Sequence, residues 1–523
     1  MTRLRERALE ELGHGVFDLL VIGGGIVGSR VAWDAARAGL RVALVDAGDF
    51  GGATSSASAK LVHGGLRYLR TGEVRLVRTA LRERNVLAAR IAPHLVRRLP
   101  FVLASTKSPR QRVKCAAGIL AYAALDGFRQ PLPRFVSAPQ AGRLVPQLRT
   151  GNVGLRVVFH EALTDDGRLT LATVTAAARA GATVANYVRV VELEPAPGNV
   201  SRVLLESRWG GGTLSVGCRA VVNATGPWVD TIRRMEDLGC GPVARLSKGV
   251  HVVMRPENEW RAALAIALQN DRHFYAVPCE GAVLLGTTDT EYSGDPACLA
   301  PLAADVSSIL DAASEFLAPE ALRPELVISA FAGLRVLPRG EGAPSSASRE
   351  HLLSVGPGGV VSVAGGKLTT HRQIALDALR HLPPEVRPRR LALGDEPLPG
   401  AYLRAPRDLA SHLDAPTADH LLRLYGGEAE YLLGYSRLHR NALERITPEA
   451  PDLWAQVYHA ISDEWATTVD DIVHRRTTLG LRGLATPLVR ARISSALEST
   501  RPTPTTEPAA NETFRARQVP RPA

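Results

Sequence analysis

The sequence predicts an α/β fold in which a parallel-sheet nucleotide-binding domain carries an inserted antiparallel sheet and is followed by a helical domain. Three observations predict it: a glycine-rich turn after a short apolar strand near the start, two later apolar runs that also end in glycine-bearing turns, and a helical pattern towards the end. With 523 residues, 45% of them hydrophobic, the chain is long enough for about two to four domains with buried cores.

The first predicted element is a strand at 17–22, a short apolar run typical of a strand buried on both faces of a parallel sheet. It leads directly into Gly23-Gly24-Gly25-Ile26-Val27-Gly28, which satisfies the pattern GxGxxG. A helix is expected over 26–38, and a second buried strand over 41–45 that ends on Asp46.

This arrangement predicts a site for the ADP half of a dinucleotide. Gly23 permits the tight turn, Gly25 lets backbone amides approach a pyrophosphate, and Gly28 allows the helix to pack closely on the strand. The N-terminus of the helix offers unpaired N–H groups to the phosphates, and Asp46 can accept both ribose hydroxyls. The pattern does not distinguish NAD from FAD. The residues assigned to this half of the site are Gly23, Gly25, Ile26, Val27, Gly28 and Asp46.

The segment from Ala53 to Leu69 favours FAD. It combines small hydroxyl residues, a lysine, a histidine and a double glycine directly after the ribose-binding strand. Such a segment suits a chain that lies along a long cofactor, with hydroxyls as hydrogen-bond partners and glycines that leave room for a flat ring. A serine-rich surface loop would not explain the GGLRYL that follows. The cofactor-binding residues expected here are Thr54, Ser55, Ser56, Ser58, Lys60, His63, Gly64 and Gly65.

Two later strands are expected to deliver loops to the same sheet edge. One lies at 220–223 and the other at 360–364, and each ends in a turn that contains glycine. In a doubly wound sheet, cofactors bind at the edge where such loops meet. The residues expected to face the cofactor from these two turns are Ala224, Gly226, Gly366, Lys367, Leu368 and Thr369.

ATSSASAKLVHGGLRYL, the segment from Ala53 to Leu69, resembles the signature of FAD-dependent glycerol-3-phosphate dehydrogenases, a family within the D-amino-acid-oxidase-like flavoprotein superfamily. The resemblance covers residues 15–498. Further segments agree in order: KGVHVV (248–253), GTTDTEYSGDP (286–296), GLRVL (333–337), SREHLL (348–353), GGKLTTHR (365–372) and TVDDIVHRRTTLGL (468–481).

The resemblance and the strand pattern together imply a Rossmann-like FAD-binding domain with an inserted antiparallel β-sheet substrate domain and a C-terminal helical domain. The FAD-binding domain is expected to be discontinuous, and a tail rich in proline and threonine is expected to be disordered. The expected bounds are 15–75, 156–241 and 355–390 for FAD binding, 76–155 and 242–354 for the substrate domain, 400–498 for the helical domain and 499–523 for the tail.

The implied activity is oxidation of sn-glycerol 3-phosphate to dihydroxyacetone phosphate, with hydride transfer to the flavin. By motif, the resemblance marks Arg67, Tyr68, Arg335, Arg349 and Lys367 as pocket residues. Because arginine and lysine suit a phosphate dianion, Arg67, Arg349 and Lys367 are expected to hold the phosphate, with Tyr68 adding a hydroxyl. His251 and Arg335 are the candidates beside the reacting carbinol: histidine can take a proton near neutral pH, whereas arginine suits a developing alkoxide.

The sequence departs from the family pattern at two positions. Val250 precedes His251 where family members often have KGSH, and Asp46 stands where glutamate is common. The first departure puts contacts near His251 in doubt. The second is chemically conservative, since either carboxylate can bind a ribose.

The electron acceptor is inferred from the resemblance, and the location of the protein is inferred from its hydropathy. Relatives divide into quinone-dependent dehydrogenases and oxidases that use oxygen, and the dehydrogenase is favoured by the closer resemblance. A helix is expected from Leu368 that continues into Arg387, Arg389 and Arg390, and it is a candidate surface for binding anionic lipid. Because no apolar run reaches the roughly 20 residues that span a bilayer, the expected location is cytoplasmic or peripheral on the inner face of the membrane. A homodimer is among the possible assemblies.

Charge and cysteine content bear on which partners and which kinds of site the chain can have. The net charge of +11 favours anionic partners, but the basic residues are interspersed with acids and show no pattern of a nucleic-acid site. Five scattered cysteines suggest neither a disulfide framework nor a metal site. Two other hypotheses stay open: a related flavin oxidase of another alcohol or amine, and a non-catalytic FAD-holding scaffold.

Overall fold

The structure is a computed structural model that describes residues 3–69, 72–105, 108–196, 199–209, 212–267, 273–339, 351–389, 395–401 and 409–500. Its strands, in chain order, are β1 (Val16–Phe17), β2 (Leu19–Ile22), β3 (Val42–Val45), β4 (Leu61–Val62), β5 (Arg97–Ser105), β6 (Arg134–Phe135), β7 (Arg156–Leu163), β8 (Thr183–Ala185), β9 (Val188–Ala196), β10 (Asn199–Ser207), β11 (Thr213–Cys218), β12 (Val221–Asn223), β13 (Ala244–Met254), β14 (Ala263–Ala267), β15 (His273–Cys279), β16 (Ala282–Gly286), β17 (Thr290–Tyr292), β18 (Val327–Pro338), β19 (His351–Val355) and β20 (Val361–Gly365).

The α-helices of the described residues are α1 (Arg3–Leu12), α2 (Ile26–Arg37), α3 (Val74–Val86), α4 (Pro109–Leu125), α5 (Ala138–Leu144), α6 (Asp166–Arg179), α7 (Val229–Glu236), α8 (Ala303–Ser314), α9 (His371–Arg380), α10 (Leu409–His412), α11 (Ala415–Tyr425), α12 (Trp454–Asp463), α13 (Val469–Asp471) and α14 (Pro487–Ser499). None of them combines the length and hydropathy that a membrane-spanning segment needs.

A six-stranded sheet forms the nucleotide-binding domain. Its order is β19-β20-β12-β2-β3-β8, and all neighbours are parallel except the antiparallel pair β19/β20. Leu19 and Val21 pack on one side of the sheet, whereas Leu20 and Ile22 pack on the other. Because successive side chains point to opposite faces and both faces are covered, the strand has a continuous apolar sequence.

Helices cover one face of this sheet and a second sheet covers the other. Helix α2 packs between α6 and α9 over the first face. The four-stranded sheet β1-β11-β10-β9 and α1 close the second face. Ile374, Ala375, Ala378 and Leu379 of α9 are fully buried. This face of α9 therefore belongs to the core, and the helix ends at Arg380, so the expected continuation into Arg387 and Arg389 is wrong.

A larger sheet carries the substrate side of the molecule. Its order is β17-β13-β16-β15-β14-β5-β7-β4, with β18 paired to β13 and β6 paired to β7. The pairs are antiparallel except β14/β5, which is parallel. Helices α5 and α8 pack on one face, while α3 and α4 pack on the other, which also faces the nucleotide-binding domain.

Three strands lie in other sheets than the expected domain bounds imply. Strands β4 and β7 fall within ranges assigned to FAD binding, but they pair with each other in the large sheet, where β7 also pairs with β5. Strand β19 falls at the end of the substrate range, but it pairs with β20 in the six-stranded sheet. Apolar periodicity marks these strands without indicating which partner each one pairs with, because pairing depends on contacts distant in sequence.

The helical domain has its own core and docks on the nucleotide-binding domain. The core is formed by helices α10 to α14 and their connections. At the junction, Asn186 Nδ2 donates to the backbone oxygen of Trp465 at 2.8 Å, and Tyr187 Oη donates to Asp471 Oδ1 at 2.6 Å. The ring of Phe50 meets Trp465 edge-on at 5.6 Å. Of the tail expected over 499–523, only residues 499 and 500 lie within the described residues.

Candidate active site

One cavity of about 1170 Å³ lies between the carboxyl ends of the parallel strands and a face of the large sheet. From the first side it is lined by the ends of β2, β12 and β20, and from the second by residues such as Leu103, Ala265 and Tyr275. Ligand sites for drug-sized molecules are about 300–1,000 Å³. The cavity is therefore large enough for an extended dinucleotide and a small substrate together.

The turn after β2 requires glycine at two positions. Gly23 has φ of +104°, and a Cβ there would lie 2.6 Å from the backbone oxygen of Ala224. A Cβ at Gly28 would lie 1.9 Å from the backbone oxygen of Gly23, so the helix could not approach the strand. The N–H of Ile26 points to Ser55 Oγ at 3.0 Å. The N-terminus of α2 and this hydroxyl thus face the same end of the cavity, where a pyrophosphate would bind.

Asp46 lies at the end of β3 and is held by backbone amides. Its Oδ2 accepts from Gly24 N at 2.7 Å, and its Oδ1 accepts from Gly48 N at 2.8 Å. Burial raises the pKa of Asp46 to about 6, although these two hydrogen bonds act in the opposite direction. An ionised carboxylate has about four acceptor sites, so Asp46 can still accept from ribose hydroxyls.

The serine-rich segment divides between the cavity wall and the domain core. Thr54 lines the cavity and donates to the backbone oxygen of Leu334 at 2.8 Å. Ser58 lines it too, but its hydroxyl donates to Asp166 Oδ2 at 2.7 Å. Lys60 does not line the cavity: its Nζ forms a buried ion pair with Asp166 Oδ1 at 2.5 Å. The structure thus gives Lys60 a structural ion pair in place of the expected cofactor contact.

The double glycine leaves room for neighbouring side chains. A Cβ at Gly64 would lie 2.4 Å from Tyr122 Oη, and one at Gly65 would lie 2.3 Å from Tyr68 Cδ2. Neither glycine lines the cavity in this structure, nor do Ser56, Gly28 or Lys60 among the expected cofactor residues. The adjacent His63 does line it, and its backbone N–H and C=O both bond to the Thr369 hydroxyl, at 3.1 and 3.2 Å.

The remaining expected cofactor residues are brought together at the sheet edge. The turn after β12 supplies two of them and the turn after β20 supplies the others, although the two turns are far apart in sequence. Gly366 has φ of +94°, and a Cβ there would lie 2.3 Å from Ile374 Cδ1. The residues of these turns that line the cavity include Ala224, Gly226, Gly366, Lys367, Leu368 and Thr369.

Lys367 and Tyr68 form one side of the substrate end. The ammonium of Lys367 lies 3.6 Å from the centroid of the Tyr68 ring, a cation–π contact. Both side chains line the cavity, and Tyr68 is buried. An ammonium group can bind an oxyanion, and the contact with the aromatic face holds the ammonium of Lys367 at this position.

Arg335 forms a second cationic group in the cavity wall. Its Nη2 donates to Thr287 Oγ1 at 2.8 Å, and its Nη1 donates to the backbone oxygen of Thr288 at 3.0 Å and approaches Asp289 Oδ1 at 3.3 Å. The guanidinium lies against Gly249, where a Cβ would be 2.4 Å from Nη2.

His251 lies on β13 beside the same cavity. The imidazole is 5% exposed and stacks on the ring of Phe331, with centroids 5.2 Å apart. Its Nδ1 makes no hydrogen bond to the part of the chain that the structure describes. Burial, assisted by the positive charges of Arg335 and Lys60, lowers the pKa of His251 to about 3. The imidazole is therefore neutral at pH 7.

Two of the expected substrate residues cannot be placed. The backbone of Arg67 lies in the 3₁₀ turn Leu66–Leu69, but its side chain lies outside the described residues. Arg349 lies wholly outside them. Of the four residues expected to bind the phosphate, the structure thus describes the side chains of Lys367 and Tyr68.

Some cavity residues were missed by sequence reasoning. Thr287 bonds Arg335 and lines the cavity, and it belongs to the quoted segment GTTDTEYSGDP without having been assigned a role. Arg475 lines the opposite end and belongs to the quoted segment TVDDIVHRRTTLGL. Tyr275 lies on β15 of the large sheet and also lines the cavity. Motif membership was the available signal for the first two residues.

Family models match nearly the whole chain. The model described as FAD dependent oxidoreductase matches residues 18–372, and the model described as C-terminal domain of alpha-glycerophosphate oxidase matches residues 394–491. The second range corresponds to the helical domain and the segment before it.

Named relatives and solved structures agree with these models. The chain is 35% identical to glycerol-3-phosphate dehydrogenase 2 of Mycobacterium tuberculosis over 494 residues, which cover 91% of this chain and 83% of that protein. It is 32% identical to glycerol-3-phosphate dehydrogenase of Synechocystis, with 91% of each covered. The FAD complex of glycerol-3-phosphate dehydrogenase from Bacillus halodurans is 28% identical, with a TM-score of 0.74 and coverage of 95% and 96%. L-alpha-glycerophosphate oxidase of Mycoplasma pneumoniae, at 14% identity, 72% and 99% coverage and a TM-score of 0.57, shares the fold.

Proposed function

Because the chain is an FAD-dependent oxidoreductase of the glycerol-3-phosphate dehydrogenase family, we propose that it oxidises sn-glycerol 3-phosphate to dihydroxyacetone phosphate. The observation that carries this proposal is the pair of cationic side chains, Lys367 and Arg335, in the wall of one cavity with His251. The names of the relatives support the same substrate.

Lys367 is proposed to bind the phosphate end of the substrate, and Arg335 the oxygen of the reacting carbinol. Charge-assisted hydrogen bonds from ammonium and guanidinium groups are each worth about 1.5–3 kcal/mol, more than bonds between neutral groups. Tyr68 adds a hydroxyl on the same side and its ring contacts the ammonium of Lys367. A substrate without the phosphate, such as glycerol, would lack the charge-assisted contact with Lys367 and bind weakly.

His251 is the group placed to take the hydroxyl proton. Bound FAD supplies the hydride acceptor. The depressed pKa of His251 means that the free site holds a neutral imidazole with a lone pair available. The phosphate dianion brings negative charge towards Arg335 and Lys367, which offsets part of the cause of the depression and raises the proton affinity of the imidazole. Arg335 remains charged and stabilises the developing alkoxide.

The substrate is tested by steady-state oxidation with an artificial dye as electron acceptor. We expect dihydroxyacetone phosphate to form from glycerol 3-phosphate, and Lys367→Met to raise the half-saturating substrate concentration about tenfold or more. Leu238→Ser, which changes a surface residue that is 90% exposed, serves as the control. Equal rates with glycerol and glycerol 3-phosphate would contradict the proposal and favour an oxidase of another alcohol.

For the acceptor, a membrane quinone is proposed in preference to oxygen. Support comes from α4, which exposes Val113, Ala117, Leu120 and Ala124 at helical spacing. Exposed Arg110, Arg112 and Lys114 accompany this stripe, and exposed Phe128 and Leu132 follow the helix. An apolar stripe beside basic residues is typical of a helix that lies in the interface of an anionic membrane, where quinone is dissolved.

Two measurements test this part of the proposal. After anaerobic reduction, the flavin is expected to be reoxidised faster by a soluble quinone analogue than by dissolved oxygen; faster reoxidation by oxygen would favour the oxidase. Leu120→Glu is expected to reduce co-sedimentation with vesicles of phosphatidylglycerol, whereas Leu238→Glu, at an exposed leucine away from α4, should not. Equal sedimentation of both variants would remove α4 as the membrane surface.

A further inference from the structure

A residue of the helical domain forms part of the cofactor cavity. Arg475 lies in a π-helical turn, Ile472–Arg476, which follows α13. The residue lines the cavity although the core of its domain is separate. The side chain is 12% exposed, so its position is fixed by contacts.

Those contacts tie Arg475 to the loop that carries Asp46. Its Nε donates to Asp49 Oδ2 at 2.5 Å, and its Nη2 donates to Asp471 Oδ1 at 2.8 Å. Arg476 also donates to Asp49, at 2.9 Å from Nη2 to Oδ1. Burial alone would raise the pKa of Asp49, but Arg476 and Arg475 lower it below its ordinary value. Asp49 is therefore an ionised buried carboxylate, neutralised from the helical domain.

The same side chain lies near the carboxylate expected to bind the ribose. The positive charge of Arg475 acts to lower the pKa of Asp46, against the larger effect of burial. Asp46 Oδ2 accepts from Gly24 N at 2.7 Å, in the turn that leads to the N-terminus of α2, where a pyrophosphate would bind.

The charges at this end explain why an arginine is needed. Asp46 and Asp49 both line it, and FAD would add the negative charge of its pyrophosphate. Among the described lining residues at this end, the other basic side chain is Arg189, which is 65% exposed and pairs with Glu206 on the surface. Without Arg475, Asp49 would keep Arg476 as a partner, but the described lining at this end would have no buried cation to offset Asp46 and the phosphates.

We propose that Arg475 is an FAD-binding residue supplied by the helical domain, which brings positive charge to the ADP half of the cofactor while it neutralises Asp49. Docking of the helical domain and binding of FAD then stabilise each other, because a coupling between two binding events acts equally in both directions. This role of Arg475 does not depend on which substrate or electron acceptor the enzyme uses.

Binding of ADP to the apoprotein tests the proposal, because ADP carries the pyrophosphate without the flavin. We expect Arg475→Gln to weaken binding of ADP and of FAD by about ten- to a hundredfold, the loss of a charge-assisted contact. Binding of riboflavin should be unchanged. Arg475→Lys should restore part of the affinity, since it keeps the charge.

Arg168→Gln is the matched control. Arg168 forms a buried ion pair with Glu464 across the same junction, but it does not line the cavity. This variant should lower the thermal midpoint of the apoprotein and leave the affinity for ADP within about twofold. Hydrogen exchange of residues 469–480 should slow on addition of FAD to the wild-type protein.

Three results would overturn the proposal. One is wild-type affinity for ADP in Arg475→Gln, or in Arg475→Met should the glutamine variant fail to fold. The second is an equal loss of ADP and riboflavin binding, which would indicate a structural role alone. The third is unchanged hydrogen exchange at 469–480 on binding FAD.

Discussion

Replacement of Gly249 by alanine tests how the substrate end of the cavity is built. Gly249 lies on β13 opposite Gly333 of β18, and the guanidinium of Arg335 lies over it. A Cβ at position 249 would be 2.4 Å from Nη2 and 2.7 Å from both Cζ and Nη1 of Arg335. The added methyl group must therefore displace the guanidinium, which is the far end of a flexible side chain.

The size of the effect follows from the hydrogen bonds that the displacement breaks. Carbon contacts are comfortable at about 3.5 Å or more, so the guanidinium must move by about 1 Å. A shift of that size lengthens its bonds to Thr287 Oγ1 and to the backbone oxygen of Thr288, now 2.8 and 3.0 Å. Loss of one charged contact to the substrate, about 1.5–3 kcal/mol, corresponds to about a ten- to hundredfold weaker binding.

Anaerobic flavin reduction measures this effect as the half-saturating concentration of glycerol 3-phosphate. The FAD content of Gly249→Ala should stay at the wild-type level, because Arg335 lies at the substrate end. A double-mutant cycle with Arg335→Ala is the control: the alanine at 249 should have little further effect when the guanidinium is already gone. If Gly249→Ala costs the same in the Arg335→Ala background, the methyl group acts through the backbone of β13 and the reasoning is refuted.

Three further predictions concern the charged groups around the cavity. Burial raises the pKa of Asp46 to about 6, and the ionised form is the one that accepts ribose hydroxyls. FAD affinity should therefore fall about tenfold from pH 7 to pH 5. A fluorescence titration measures this affinity, and Asp46→Ala should make it nearly independent of pH. Lys60→Met should lower the free energy of unfolding by about 3–5 kcal/mol in urea, because the partner Asp166 is left buried and unpaired; an intact stability with lost FAD binding would instead make Lys60 a cofactor residue. His251→Asn should slow anaerobic flavin reduction by about 10²–10⁴-fold with FAD content unchanged, and an unchanged rate would exclude His251 as the base.

The nucleotide unit was predictable because its pattern is local. Strand β2, helix α2 and strand β3 were expected within one or two residues of where they lie. The exception is Phe17, which was expected in the same strand as 19–22 but lies in β1 of the four-stranded sheet. Asp18 separates the two strands and its Oδ2 accepts from Arg41 N at 2.9 Å, a contact that the apolar pattern does not contain.

Contacts distant in sequence account for what was missed or misassigned. Lys60 and Ser58 were assigned to the cofactor because they stand in its signature, yet both bind Asp166 of α6. Arg475 was not assigned because nothing near it in the sequence indicates that the helical domain reaches the cofactor cavity. Motifs identify the residues of such a site, whereas the partner of each charged group depends on the packing of separate domains.

The central claim is that this cavity oxidises a phosphorylated alcohol with FAD, and anaerobic mixing of the FAD-loaded protein with substrate tests it most directly. We predict that the visible absorbance band of the oxidised flavin disappears with glycerol 3-phosphate and persists with an equal concentration of glycerol. An unchanged band with glycerol 3-phosphate, in protein shown to hold FAD, would contradict the account.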